Sequence, residues 1–241
     1  CMWRRLKWSK LHLLVVLMGA VLLTGCAGHE RVMVPPKADL QGAESVAVLY
    51  FDNETREPVV PYEVEENIAQ RLSTYYRVAD QAEVDSAMTR LGLRRGMVPT
   101  RDEIIRLGRL LNVDAVITGE VIFYFDDVSQ SEAYMIEADL ENELFRWEIS
   151  QTTKALVSFT GRVINTRSGA IMYSRRVQGE GESISKSDLG WLKKDKKPDP
   201  FWYPSISRFD IPSVRSQAVR DGVDQFSADL LPTYVWRKAQ D

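Results

Sequence analysis

Ser45-Val46-Ala47-Val48-Leu49-Tyr50-Phe51 is a nearly continuous apolar run, and its reading decides the fold. A run without polar alternation is what a strand covered on both faces requires. Asp52-Asn53-Glu54-Thr55 ends it with turn-forming side chains. Downstream, Pro61 suits the first turn of a helix. Val64, Ile68, Leu72 and Tyr75 then recur at spacings of four, four and three, a single apolar stripe. Glu63, Glu65 and Glu66 near the start of that helix complement its dipole. A doubly covered strand followed by an amphipathic helix predicts an α/β unit.

The rest of the chain extends this reading. Arg77-Val78-Ala79 reads as a short strand. Asp80 and Glu83 form an acidic variant of the capping box and open a helix through Leu91, which Gly92 and Gly96 break. Thr100 and Glu103 make a second box. Ile104, Leu107 and Leu111 line the helix it starts, and Asn112 caps its end. Val113 to Phe125 predicts a long buried strand, in which Gly119 permits close backbone approach. Residues 132–149 fit two periods. Ala133, Ile136, Leu140, Leu144 and Trp147 recur as on a helix, while Ile136, Ala138 and Leu140 alternate with acids as on a strand. Length and the Ala, Leu, Met and Glu content favour the helix. Ala155, Val157, Phe159 and Val163, the turn Asn165–Gly169, and Ala170 to Val177 read as an antiparallel hairpin. Residues 179–212 read as an irregular insertion, and Ser213 to Leu231 as a final helix stopped by Pro232. The expected class is α/β (α+β), a mixed β-sheet flanked by helices.

The N-terminus carries a different kind of signal. Arg4, Arg5, Lys7 and Lys10 precede the apolar segment Leu11 to Leu23, and Leu23-Thr24-Gly25-Cys26 closes it with small residues and a cysteine. Basic, apolar, then small is the order of an export signal. The apolar segment falls well short of the roughly 20 residues a membrane span needs. Residues 1–25 therefore read as a signal peptide, with Met2 as its natural start and Cys1 as extraneous. Residues 26–44 read as a flexible tether, with Gly28, Pro35, Pro36 and Gly42 and no apolar period. Residues 45–241 read as one domain.

Composition narrows the chemistry. Removing 1–25 takes four basic residues and no acids, so 31 basic residues become 27 against 34 acidic ones, a formal −7. That balance argues against a nucleic-acid partner. His12 leaves with the signal, His29 sits beside the anchor, and no cysteine follows Cys26. Ser-His and Cys-His nucleophiles and His-ligated zinc are thereby excluded from the domain. Asp126-Asp127 has no further ligands at metal-site spacing and reads as a turn, and of the carboxylate pair Asp52 and Glu54, turn chemistry already explains Asp52. The domain is expected to be no enzyme, with no catalytic residue, no metal and no non-covalent cofactor.

Four stretches carry a resemblance. They are the lipobox-like Leu23–Cys26, VAVLYFDNET (Val46–Thr55), LNVDAVITGEV (Leu111–Val121) and GRVINTRSGAIMYS (Gly161–Ser174). In order and spacing they resemble the curli-secretion, CsgG-like superfamily of outer-membrane lipoproteins, over about 46–178 and the last helix. The resemblance implies lipidation of Cys26, a periplasmic domain at the outer membrane and no aspartate retention signal at Ala27. It also implies work as a structural or assembly component, as a homo-oligomeric ring with other envelope proteins. A monomeric activator of a periplasmic enzyme such as a peptidoglycan synthase is the first alternative, and a curli-type pore built from hairpins at about 126–153 and 180–211 the second. The lysines and prolines of 193–204 suit a barrel wall poorly. Trp191, Lys193, Lys194, Phe201, Trp202 and Tyr203 instead read as a partner-contact loop, unless their aromatics fold back to complete the core.

Overall fold

The structure is a computed structural model and describes residues 29–193 and 196–238. In chain order its elements are β1 (His29–Val34), β2 (Ser45–Asn53), α1 (Val60–Leu72), β3 (Arg77–Val78), α2 (Gln81–Arg90) and α3 (Arg101–Leu111). Then come β4 (Ala115–Gln130), β5 (Tyr134–Asp139), β6 (Leu144–Asn165), β7 (Ile171–Lys193), a 3-10 turn (Pro200–Trp202), α4 (Ile211–Ser227) and β8 (Thr233–Lys238). They form two compact units. One is a two-stranded antiparallel ribbon in which β1 pairs with β8, from His29 opposite Lys238 to Val34 opposite Thr233. The other, Pro36–Leu231, is the α/β unit.

In that unit the sheet runs β3-β2-β4-β6, and β7 pairs along the opposite flank of β6. β3–β2 and β2–β4 are parallel and the other pairs antiparallel, so the sheet is mixed. β5 continues the line of β4. β4 covers β6 from Gln151 to Asn165, and β5 covers it from Leu144 to Glu148. Since β2 pairs with β4 only as far as Val121, the distal part of β4, β5, β6 and β7 extends as a three-stranded antiparallel arm.

Two cores follow from the doubly apolar β2. Val46, Val48 and Phe51 face α1 and α4, meeting Val64, Ile68, Phe159, Ala218 and Phe226. Ala47 and Leu49 face α2 and α3, meeting Val84, Met88, Ile104 and Leu107. Gly119 is essential to the first. A Cβ there would stand 2.0 Å from the Thr160 carbonyl oxygen and 2.6 Å from the Phe51 ring. Just beyond it the β4–β6 register slips between Val121 and Phe123. Ile122 is the extra residue of this bulge, so odd-numbered β4 side chains change faces there.

The Thr100–Glu103 capping box and the left-handed Asn112 cap stand as read. Asp80 caps α2 through the Ala82 amide at 2.8 Å rather than through a box with Glu83. Five expectations are corrected. Residues 132–149 are strands β5 and β6, not a helix, because Ile149 and the residues after it extend a ladder on β4 and β7 that a helix would forgo. The irregular insertion at 179–212 is strand as far as Lys193, since every residue from Gly179 to Lys193 except Leu189 finds a partner on β6. The tether 26–44 contains β1, and Leu40 is buried in the α1–α4 core. Tyr75 lies past the end of α1 and is half exposed. Tyr76 takes the core position instead, its hydroxyl donating to the Leu230 carbonyl at 2.7 Å. Asp126 and Asp127 lie within β4, not in a turn.

Asp114 ties the start of β2 to the start of β4. Its Oδ2 accepts from the Ser45 hydroxyl at 2.8 Å and from the Ser45 and Glu44 amides at 3.2 Å each. The Ser45 hydroxyl above all holds its carboxyl below the ordinary range. A depressed folded value means that the stabilisation is complete above about pH 3.9 and is lost as the pH falls through the lower folded value. Asp114→Asn is therefore expected to melt lower than the native sequence at pH 7, with the gap closing in acid. Thermal melts across that range check it, and a gap that does not change with pH overturns the account.

Candidate functional site

A sheet edge exposes amides and carbonyls that another strand can claim. The α/β unit treats its edges in two ways. β3 pairs with β2 only at Ser45 and Val46, which leaves the rest of that edge of β2 without a strand. There the Phe51 amide donates to Glu65 Oε1 at 2.7 Å. Glu65 projects from α1 and is 5% exposed. Arg95 grips both of its oxygens, at 2.5 and 2.8 Å. The register slip between Val48 and Phe51 frees Tyr50 from the ladder, and its hydroxyl reaches Asp85 on α2 at 2.9 Å. The Arg95 guanidinium lies 3.9 Å from the Tyr62 ring centre and 4.3 Å from that of Tyr50.

Burial pushes the Glu65 carboxyl up, against Arg95 and the Phe51 amide, which pull it down. Burial is the largest influence on Arg95 and opposes its charge, but the hydrogen bond and charge of Glu65, with Tyr62 and Tyr50, together outweigh it and its pKa is raised. Burial, then Asp85, pushes the Tyr50 phenol up to about 12. The groove above these residues has a volume of about 760 Å³. Glu65 and Arg95 at its base are already paired, so its chemistry is that of a plug, closing the β2 edge with a neutralised carboxylate.

The arm is built otherwise. Near α4 the outer edge of β7 is closed, since Asp221 accepts the Glu180 amide at 3.0 Å and Gln225 donates to the Gln178 carbonyl at 2.8 Å. Among the described residues, no strand pairs with the outer edge of β7 from Glu182 to Leu192, nor with the outer edge of β4 from Phe123 to Gln130. One face of the arm lies under α4 and residues 203–209. Gln130 donates to the Pro204 carbonyl at 2.9 Å, and Gln151 exchanges two hydrogen bonds with Ser207. The other face is open. After the Ile122 bulge it carries Phe123, Phe125 and Ile184, exposed by 48, 49 and 58%, beside the Lys154–Glu182 pair at 3.2 Å.

The residues read as one contact loop occupy two places. Trp191 and Lys193 belong to β7, with Trp191 opposite Arg146 near the end of β6. Phe201 and Trp202 form the turn capped by Asp199 and stand 90 and 64% exposed, so they do not complete the core. Tyr203 is half-buried, and its hydroxyl accepts the Ala133 amide at 3.2 Å, on the flank of β6 away from β7. Phe209, which the sequence reading missed, is 88% exposed. Lys194, Cys26, expected to carry the lipid, and Leu23, Thr24 and Gly25 lie outside the described residues, as does the 1–25 segment. The Glu65–Arg95 plug was also missed, because a glutamate among first-turn acids looks like dipole compensation and Arg95 sits in a segment read only as a break. Among the described residues there is no cluster of three or more metal-ligating side chains, and no helix is long and apolar enough to cross a membrane.

No family model matches the chain, and no curated protein does. Solved structures similar to it include the lipoprotein GNA1162 from Neisseria meningitidis, at 17% identity over 66% of this chain and 89% of that one, with a TM-score of 0.37. Another is the PelC dodecamer from Paraburkholderia phytofirmans, at 16% identity over 84 and 96%, TM-score 0.38. A third is the LpoB C-terminal domain from Escherichia coli, at 15% identity over 56 and 82%, TM-score 0.37. Likenesses of this size do not decide what the chain does.

Proposed function

We propose that the chain is a lipid-anchored periplasmic lipoprotein, held by Cys26 to the outer membrane, whose copies assemble through their arms as a structural component of an envelope export or appendage machine. The difference between edges carries this reading. The β2 edge is sealed by a buried carboxylate, while among the described residues no strand pairs with either long edge of the arm, and natural sheets seal the edges they do not use. Anchoring confines copies to a plane and raises their effective concentration for pairing. The role is non-catalytic, without cofactor or metal, and its partners are the membrane, other copies and other envelope proteins rather than nucleic acid. The open arm face alternates Phe123 and Phe125 with Asp127 and carries Lys154 and Glu182, so it lacks the continuous apolar band that a lipid-facing barrel wall needs. That disfavours the curli-type pore. The exposed Phe201, Trp202 and Phe209 favour a second reading, a monomeric regulator that docks an envelope enzyme.

Ser129 on β4 and Ile184 on β7 lie on the open face near opposite edges. With lipidated chains carrying Ser129→Cys alone mixed with chains carrying Ile184→Cys alone, a short bis-maleimide is expected to give covalent dimers, the first rung of a ladder, and native mass spectrometry in mild detergent a defined multiple of the chain mass. A monomer at every concentration, with no covalent dimer, overturns assembly in favour of the regulator.

A further inference from the structure

The ribbon of β1 and β8 has the composition of a surface that rests on lipid. An isolated two-stranded ribbon is marginal in water and needs something to pack on. On one of its faces Arg31 stands opposite Trp236, and Met33 opposite Tyr234. The Arg31 guanidinium lies 4.1 Å from the centre of the Tyr234 ring. Trp236 is 70% exposed, and Tyr234 and Met33 about half. On the other face Glu30 is opposite Arg237 and Val32 opposite Val235. Exposed Trp and Tyr beside arginine is the combination that settles at the headgroup level of a bilayer, where rings find a half-apolar layer and guanidinium groups find phosphate.

Position supplies the second argument. His29, the first residue of β1, is three residues beyond Cys26. A fully extended chain covers at most about 3.6 Å per residue, so the ribbon begins within about 11 Å of the anchored sulfur. That is no more than about twice the depth of one headgroup layer, itself about 5–7.5 Å. A ribbon starting there meets the leaflet that holds its own lipid before it meets anything else.

We infer that the β1–β8 ribbon lies on the phospholipid surface through Arg31, Met33, Tyr234 and Trp236, as a second, non-covalent membrane contact beside the acyl chains. The inference rests on the reading of Cys26 as the anchor. The ribbon joins β1 and β8, so its contact with lipid fixes both strands at one depth.

The test uses the full mature chain mixed with vesicles of phosphatidylethanolamine and phosphatidylglycerol whose acyl chains are brominated near the headgroup. Tryptophan quenching is expected in the native sequence, abolished by Trp236→Phe, and retained in Trp191→Phe and Trp202→Phe. Arg31→Ser is expected to weaken it without changing the thermal melt, and Arg237→Ser, on the other face, to leave it unchanged. Flotation of the chain with the vesicles reports the anchor separately. A chain that floats without Trp236-dependent quenching overturns the ribbon contact and leaves the anchor standing. One that neither floats nor is quenched overturns both. One that is quenched without floating removes the anchor, and with it the inference of a ribbon contact beside the acyl chains. Trp236 emission that instead shifts with protein density at constant lipid marks a second copy on this face, and overturns the proposal.

Discussion

Arg95→Ala is expected to lower the free energy of unfolding by about 3 kcal/mol, the low end of the range for breaking a buried ion pair. The low end applies because the Arg95 side chain is 31% exposed, whereas that of Glu65 is 6% exposed. The loss arises less from the contact than from what remains, a carboxylate in the core whose one other partner is the Phe51 amide. That origin gives the effect a pH dependence of known sign. Burial already raises the Glu65 pKa, and without Arg95 nothing comparable opposes it. A group whose folded pKa is raised binds its proton more tightly when folded, so the penalty is absent below the unfolded value of about 4.3 and grows as pH rises through the folded one. Urea denaturation at pH 7 and near pH 4 is expected to show the deficit shrinking in acid. Arg95→Lys keeps the charge but loses the fork and the stacking on Tyr50 and Tyr62, and is expected to fall between. An equal deficit at both pH values sinks the buried-charge account.

Gly179→Ala and Gly181→Ala are expected to cost at least as much. In these two places the backbone of α4 rests directly on that of β7. A Cβ on Gly179 would lie 2.0 Å from the Ala218 carbonyl oxygen and 2.4 Å from the Gly222 amide nitrogen, and one on Gly181 2.1 Å from the Val214 oxygen. Side chains can rotate away from such a clash; main chain cannot. Each substitution is expected to exceed the usual overpacking cost of about 1–3 kcal/mol. The two together are expected to cost less than their sum, since one shift of α4 relieves both. Lifting α4 also withdraws Asp221 from the Glu180 amide, so hydrogen exchange at Glu180 is expected to accelerate. Gly190→Ala serves as the control. Its φ of +85° strains any other residue, but nothing lies within 4 Å of the added atom. A thermal melt no lower for Gly179→Ala than for Gly190→Ala ends the argument.

Much of the α/β unit was legible because its signals are local. The run at 45–51, the stripe on Val64, Ile68 and Leu72, the box at Thr100 and the cap at Asn112 each act within a few residues. The arm was not, because its strands are stabilised by partners far away in sequence. Residues 134–139 are mostly exposed and carry helix formers, and only β6 makes them a strand. The same holds for 179–193, where runs of Gly, Ser and Glu have little strand propensity and pair nonetheless along the whole of β6. The plug escaped for a related reason. A buried glutamate is recognisable only once its arginine, 30 residues on, has been brought to it.

The single extra residue at Ile122 behaves as a toggle. Removing it restores the uninterrupted two-residue rhythm of β4, which rotates Phe123 and Phe125 under α4 and turns Tyr124, Asp126 and Val128 outward. The body below, fixed by Ala115 to Val121, is untouched. A lineage carrying this fold therefore has a one-codon route between an oily and an acidic arm, and surfaces that differ between relatives in this way need not trace to many separate substitutions.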